Sequence, residues 1–139
     1  MNDKDFNNYQ RILSGYPPVS FTLLGFHLTA TIAGLAGLFT LMQSQMLSPQ
    51  KVFWVSTLAV LLAFVTLMLW LMWFREHKLK DQAVNDLRKE GIRFPVTRTW
   101  TGVVTIMHGL FYFFGFALWV SIAAIGFTNP QCLLSKFGL

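Results

Sequence analysis

Two histidines stand inside otherwise apolar runs, in "PVSFTLLGFH" (18–27) and "PVTRTWTGVVTIMH" (95–108). Imidazole titrates near neutrality and both ligates metals and exchanges hydrogen bonds, so three chemistries are open to His27 and His108. Each ring can hydrogen-bond Ser, Thr or Tyr across a helix bundle. Together they can serve as the axial ligands of a haem b, with the glycines seven residues further on, Gly34 and Gly115, making room for the macrocycle and Phe111, Tyr112 and Phe114 packing its edges. Proton transfer or quinone binding is the third. Nothing else in the chain reads as a reaction centre: there is no phosphate-binding glycine loop, paired-carboxylate site, cysteine-rich metal site or nucleophile elbow. His77, in "REHK", reads as a solvated side chain among charges, and Cys132 as a lone thiol without an internal partner.

Both histidines need elements to position them, and composition says what those are. Of 139 residues, 54% are hydrophobic and 12% charged, against about a quarter charged in soluble domains. No charged side chain falls between Arg11 and Lys51, between Lys51 and Arg75, or between Arg98 and Lys136. Each gap exceeds the roughly 20 residues that cross a bilayer. The reading is an all-α integral membrane protein, one membrane domain with three transmembrane helices at about 19–46, 52–74 and 100–127. The polar, mixed-charge start does not read as a signal peptide, so the first span is kept. Residues 75–99 carry seven Lys or Arg, Lys4 and Arg11 precede the first span, and only Lys51 and Lys136 fall on the other side. By the positive-inside rule the chain is N-in/C-out, with a cytoplasmic loop at 75–99. That asymmetry accounts for the basic pI without nucleic acid, and basic residues beside spans favour anionic lipids.

In the loop, Leu79, Ala83, Val84 and Leu87 form a narrow apolar stripe, so 75–94 is expected to continue span two as a helix stopped by Gly91 and Pro95. The stripe is the expected docking surface for a partner. The Pro-Val openings at 18 and 95 read as first turns of helices at the inner interface, with Ser20, Thr22, Thr97 and Thr99 serving backbone groups and Tyr16, Phe94 and Trp100 as interfacial aromatics. Spans one and three then run parallel. His27 comes nine residues after its proline and His108 thirteen, a difference of about 6 Å, which places both at one depth within the uncertainty of span ends.

On span one, Ala30, Ala33, Gly34 and Gly37 make overlapping small-xxx-small pairs for helix packing, and Gly115 marks a close contact on span three. Span two, apolar on all sides, reads as the lipid-facing helix. The spacing from Pro18 to His27 is similar to that of small haem-b anchor subunits of respiratory complexes, but Leu28 stands where those proteins have arginine, and the rest of the chain does not follow them. With no Asp, Glu, Lys or Arg inside a span, ion or proton transport by this chain alone is not expected. The expectation is a small non-enzymatic subunit or accessory factor of a larger complex in the bacterial inner membrane. Its partners would be other integral membrane subunits or further copies of itself. A b-type cytochrome or quinone-site subunit using His27 and His108 is the alternative, and a holin- or immunity-type protein a third.

Overall fold

The computed structural model describes residues 3–92 and 98–137, and every element in it is helical: α1 (Asp3–Gln43), α2 (Ser48–Lys89), α3 (Arg98–Thr128) and α4 (Pro130–Phe137). Phe94, Pro95 and Thr97 lie outside the described residues, as do the side chains of Thr99 and Trp100. The first three helices are long and apolar enough to cross a membrane. At 1.5 Å per residue, α1 and α2, with 41 and 42 residues, run for roughly 60 Å each, about twice the thickness of a bilayer's hydrocarbon core.

The reason they stay together is a spacing of three and four residues along each buried face. On α1 it passes through Ser20, Leu23, His27, Gly34 and Leu38; on α2 through Val52, Ser56, Ala59, Ala63, Thr66 and Trp73; on α3 through His108, Tyr112, Trp119, Ile122 and Gly126. An average of 3.5 residues keeps a seam in place along a helix, as in coiled coils. α1 and α2 pair antiparallel along their whole length: the Lys51 ammonium donates to the Met42 carbonyl at 3.0 Å at one end, and the Tyr9 hydroxyl donates to Asp86 at 3.3 Å at the other. α3 runs back beside both.

Two expectations about α1 and α2 are corrected. The Pro-Val opening at 18 is not a helix start: α1 begins at Asp3 and carries Pro17 and Pro18 inside it. Two backbone donors are lost there, but the segment before them is held by α2, so the helix continues. α2 keeps an exposed apolar side at Phe53, Leu61, Phe64 and Met72, but it is not peripheral. It is the central one, packed against both neighbours, because Ser56, Ala59, Ala63 and Thr66 give its wall small side chains at heptad spacing. Its extension past Arg75 is uninterrupted to Lys89, so span and extension are one helix. Together with residues 3–16 of α1 it forms a two-helix stalk at the basic end of the bundle.

The stop comes where the sequence places it. Gly91 adopts a left-handed φ of 76°, and its N–H donates to Arg88 while that of Ile92 donates to Leu87. This pairing of the last carbonyls is the Schellman arrangement, which needs a residue without a Cβ penalty at that point. At the opposite end, Asn129 caps α4 by accepting from the Cys132 N–H at 3.2 Å, and Pro130 opens the helix. α4 folds back so that Leu133, 1% exposed, joins Leu38, Val55, Ala59, Ala63, Trp119, Ile122 and Ala123 in an apolar core. The basic half of the bundle is filled differently, around Leu23, Trp73 and Tyr112.

Candidate functional site: a histidine and aromatic column

All three histidines of the chain lie in this second half, one contributed by each long helix. His27 of α1 is buried with its ring on Gly115 of α3, where a Cβ would come within 2.5 Å of Cε1. The ring also tilts against Tyr112, centroid to centroid 4.9 Å. Tyr112, with no exposed surface, meets Trp73 of α2 at 5.9 Å. The Trp73 indole takes the edge of His108 at 6.3 Å and stacks on His77 at 5.5 Å with the planes 3° apart. His108 in turn shares a hydrogen bond with the buried Ser20 hydroxyl, Oγ to Nδ1 3.3 Å, and receives Phe21 edge-on.

His27 and His108 are therefore both in the interior but are not brought together. His27 sits level with Gly115, and His108 level with Ser20. Each offset is seven residues, about 10 Å along the bundle axis. The expectation of one depth is corrected: within this chain the two imidazoles stand at different levels. Counting from Pro18 misled here, because α1 runs from Asp3 and the proline marks no end of it.

The glycines and alanines divide. Gly34 is occupied by Leu62 and by the Trp119 ring, 3.0 Å from where a Cβ would sit, and Gly37 by Leu58 at 3.2 Å. Ala30 is half-buried and Ala33 faces outward. Gly34, Gly37 and Gly115 thus serve contacts within this chain. Gly126, which the sequence did not single out, closes on Ser56 and Leu133. On the extension, Ala83 and Leu87 are 1% exposed while Leu79 and Val84 are half-buried. Tyr9 and Ile12 of α1 line an open groove of about 520 Å³ with Leu79 and Ala83, so part of the stripe is covered by the chain's own N-terminal segment.

His77 is not the solvated residue its charged neighbours suggest. Its side chain is 19% exposed. Nδ1 lies 3.3 Å from the Tyr16 hydroxyl and 3.2 Å from Lys80 Nζ, and Nε2 lies 3.3 Å from Asp81. An ammonium only donates, so Nδ1 accepts and Nε2 carries the proton toward Asp81. Burial first, and the Lys80 charge second, push this imidazole below its ordinary value, with Asp81 opposing them. Trp73 was the missing signal. It stands four residues before His77, one turn away on the same face.

The interior polar atoms without a hydrogen-bond partner among the described residues are His27 Nδ1, Thr31 Oγ1, Trp73 Nε1, Tyr112 Oη and Trp119 Nε1. None of them bonds to another, so they form no hydrogen-bonded path. Among the described residues no three His, Cys, Asp or Glu side chains gather as a metal-holding group. The column is thus an aromatic wall that fixes three helices in register, with its titratable end at His77. Compared with known proteins, the chain matches no family model, no curated protein and no solved structure.

Proposed function

We propose that this chain is a three-span protein of the bacterial inner membrane that acts as a non-enzymatic subunit or accessory factor of a larger membrane assembly. The observation that supports this most is the filled interior: the spaces left at Gly34, Gly115 and Gly126 are taken by Leu62 and Trp119, by His27, and by Ser56 and Leu133. Close packing at such glycines is how helices in a bilayer associate, and it leaves the bundle a rigid scaffold. The outer faces, by contrast, are apolar and unpartnered within the chain, with Phe26, Ile32 and Phe114 each above 60% exposed. Lipid or other membrane subunits are what such faces meet.

The charge asymmetry supports an N-in/C-out orientation, which sets the stalk in the cytoplasm. Exposed Arg75 and Lys78, where α2 leaves the span, suit anionic head groups. The half-exposed Leu79 and Val84 leave the outer side of the stalk for a cytoplasmic partner. Haem ligation is not carried forward, since the two imidazoles stand at different levels.

Cross-linking in native membranes, followed by purification in mild detergent, tests the subunit reading. A stoichiometric integral membrane partner in a species larger than the monomer is expected; a chain found only at monomer mass would overturn it. Orientation is tested by impermeant maleimide on intact cells. Cys132 should label from outside, and an Asn85→Cys variant made in a Cys132→Ser background should label only after permeabilisation.

A further inference from the structure

The stalk is joined to the bundle at one point that carries several special features at once. α1 loses two backbone donors at Pro17 and Pro18. Immediately before them, Tyr16 reaches across to His77 of α2, while Lys80 Nζ lies 4.9 Å over the Tyr16 ring and 3.2 Å from His77 Nδ1. Lys80 also pairs with Asp81 at 3.0 Å. Beyond this cluster the contacts holding residues 3–16 to the extension include the half-buried Tyr9 to Asp86 bond and the rim of the open groove.

From this geometry we propose that His77 is a proton-operated latch, which clamps the N-terminal arm of α1 on the α2 extension when neutral and releases it when protonated. The clamp is the single Nδ1 lone pair, shared between the Lys80 ammonium at 3.2 Å and the Tyr16 hydroxyl at 3.3 Å. A proton added there turns the acceptor into a donor, 3.2 Å from an ammonium that can only donate. Two cations and two donors then face each other, Lys80 must leave both His77 and the Tyr16 ring, and Tyr16 must reverse its bond. The groups facing His77 are Lys80, Asp81 and Trp73 on its own helix and Tyr16 from α1; from α3, His108 meets the same indole at its edge. Asp81 eases the added charge but is half in solvent, with 53% of its side chain exposed. The His77 ring is stacked on Trp73 and met by the tilted Tyr16 ring, 6.1 Å away, so it is flanked on the side of α1 as well as of α2. Release opens the groove that Tyr9 and Ile12 line with Leu79 and Ala83, and so uncovers that part of the stripe.

The test uses the full chain in lipid nanodiscs, with Cys132→Ser and nitroxide labels at Asn8→Cys and Asn85→Cys, both exposed sites on facing helices. Electron–electron distances are measured from pH 8 to pH 5. A single short distance is expected at pH 8, giving way on acidification to longer ones with a midpoint below about 6.5, the ordinary imidazole value. The closed-to-open ratio should fall about tenfold for each pH unit by which closure depresses the His77 titration. His77→Gln should hold one distribution at both extremes. Lys80→Met, which removes the opposing donor without touching the ring, should shrink the response. An unchanged wild-type distribution, or an undiminished response in either variant, would overturn the latch.

Discussion

Replacing Gly115 with alanine probes how the interior is filled. The new Cβ would lie 2.5 Å from His27 Cε1 and 2.7 Å from Nε2, well inside van der Waals contact. The ring has little room to step aside, being 3% exposed and resting on Tyr112, which is itself buried against Trp73. Overpacking of this kind costs about 1–3 kcal/mol, offset by the roughly 0.5–1 kcal/mol that alanine gains over glycine inside a helix. The expected net loss lies between about 0 and 2.5 kcal/mol, centred on about 1 kcal/mol. Gly25 is the control, because nothing lies within 4 Å of its Cβ position, and Gly25→Ala should be neutral or slightly stabilising. The clash needs the imidazole, so in a His27→Ala background Gly115→Ala should cost nothing further, a coupling of about 1–3 kcal/mol. Equilibrium unfolding in mixed micelles titrated with dodecyl sulfate, followed by tryptophan emission, measures all four species. Costs that add within about 0.5 kcal/mol, or a Gly115→Ala variant that behaves like Gly25→Ala, would refute the packing of His27 on this glycine.

Two further substitutions test separate parts of the fold. Trp119→Ala empties the centre of the apolar core, where the ring has no exposed surface and closes over Gly34; it should lose about 3–5 kcal/mol in the same unfolding assay, more than any single change in the stalk. Gly91→Ala forces a Cβ into a backbone with φ of 76°, costing about 1–2 kcal/mol locally. Amide exchange at 87–92 should quicken while that of α3 is unchanged.

The number of long helices and the helical extension past Arg75 were legible in the sequence, because charge-free gaps and a leucine and alanine stripe are one-dimensional signals. Gly91 was legible for the same kind of reason. What escaped was set by packing between helices. Ser56, Ala59, Ala63 and Thr66 repeat at three- and four-residue steps, but the surrounding Leu, Phe and Trp mask them in an all-apolar span, and only the structure shows that α2 is central. Pro17 and Pro18 suggested a start because a first turn tolerates proline well; the arm before them is helical through its contacts with α2, which no local preference encodes. The short helix α4 went unread although Asn129 and Pro130 can open a helix, since eight residues form a stable one only when docked. Of the site, the inward direction of His27 and His108 was readable from their small and aromatic neighbours. Their offset was not, because it is set by the register in which α1 and α3 pack.

Cysteine pairs across α1 and α3, in a Cys132→Ser background, test the offset on which the scaffold reading rests. The full chain in membranes is treated with a short bifunctional thiol reagent and intramolecular links are read by mass spectrometry. His27→Cys with Gly115→Cys should link efficiently, and His27→Cys with His108→Cys should not. Linkage of the second pair in preference to the first would place both histidines at one depth, reopen the two-ligand site between them and contradict an interior filled by the chain's own side chains.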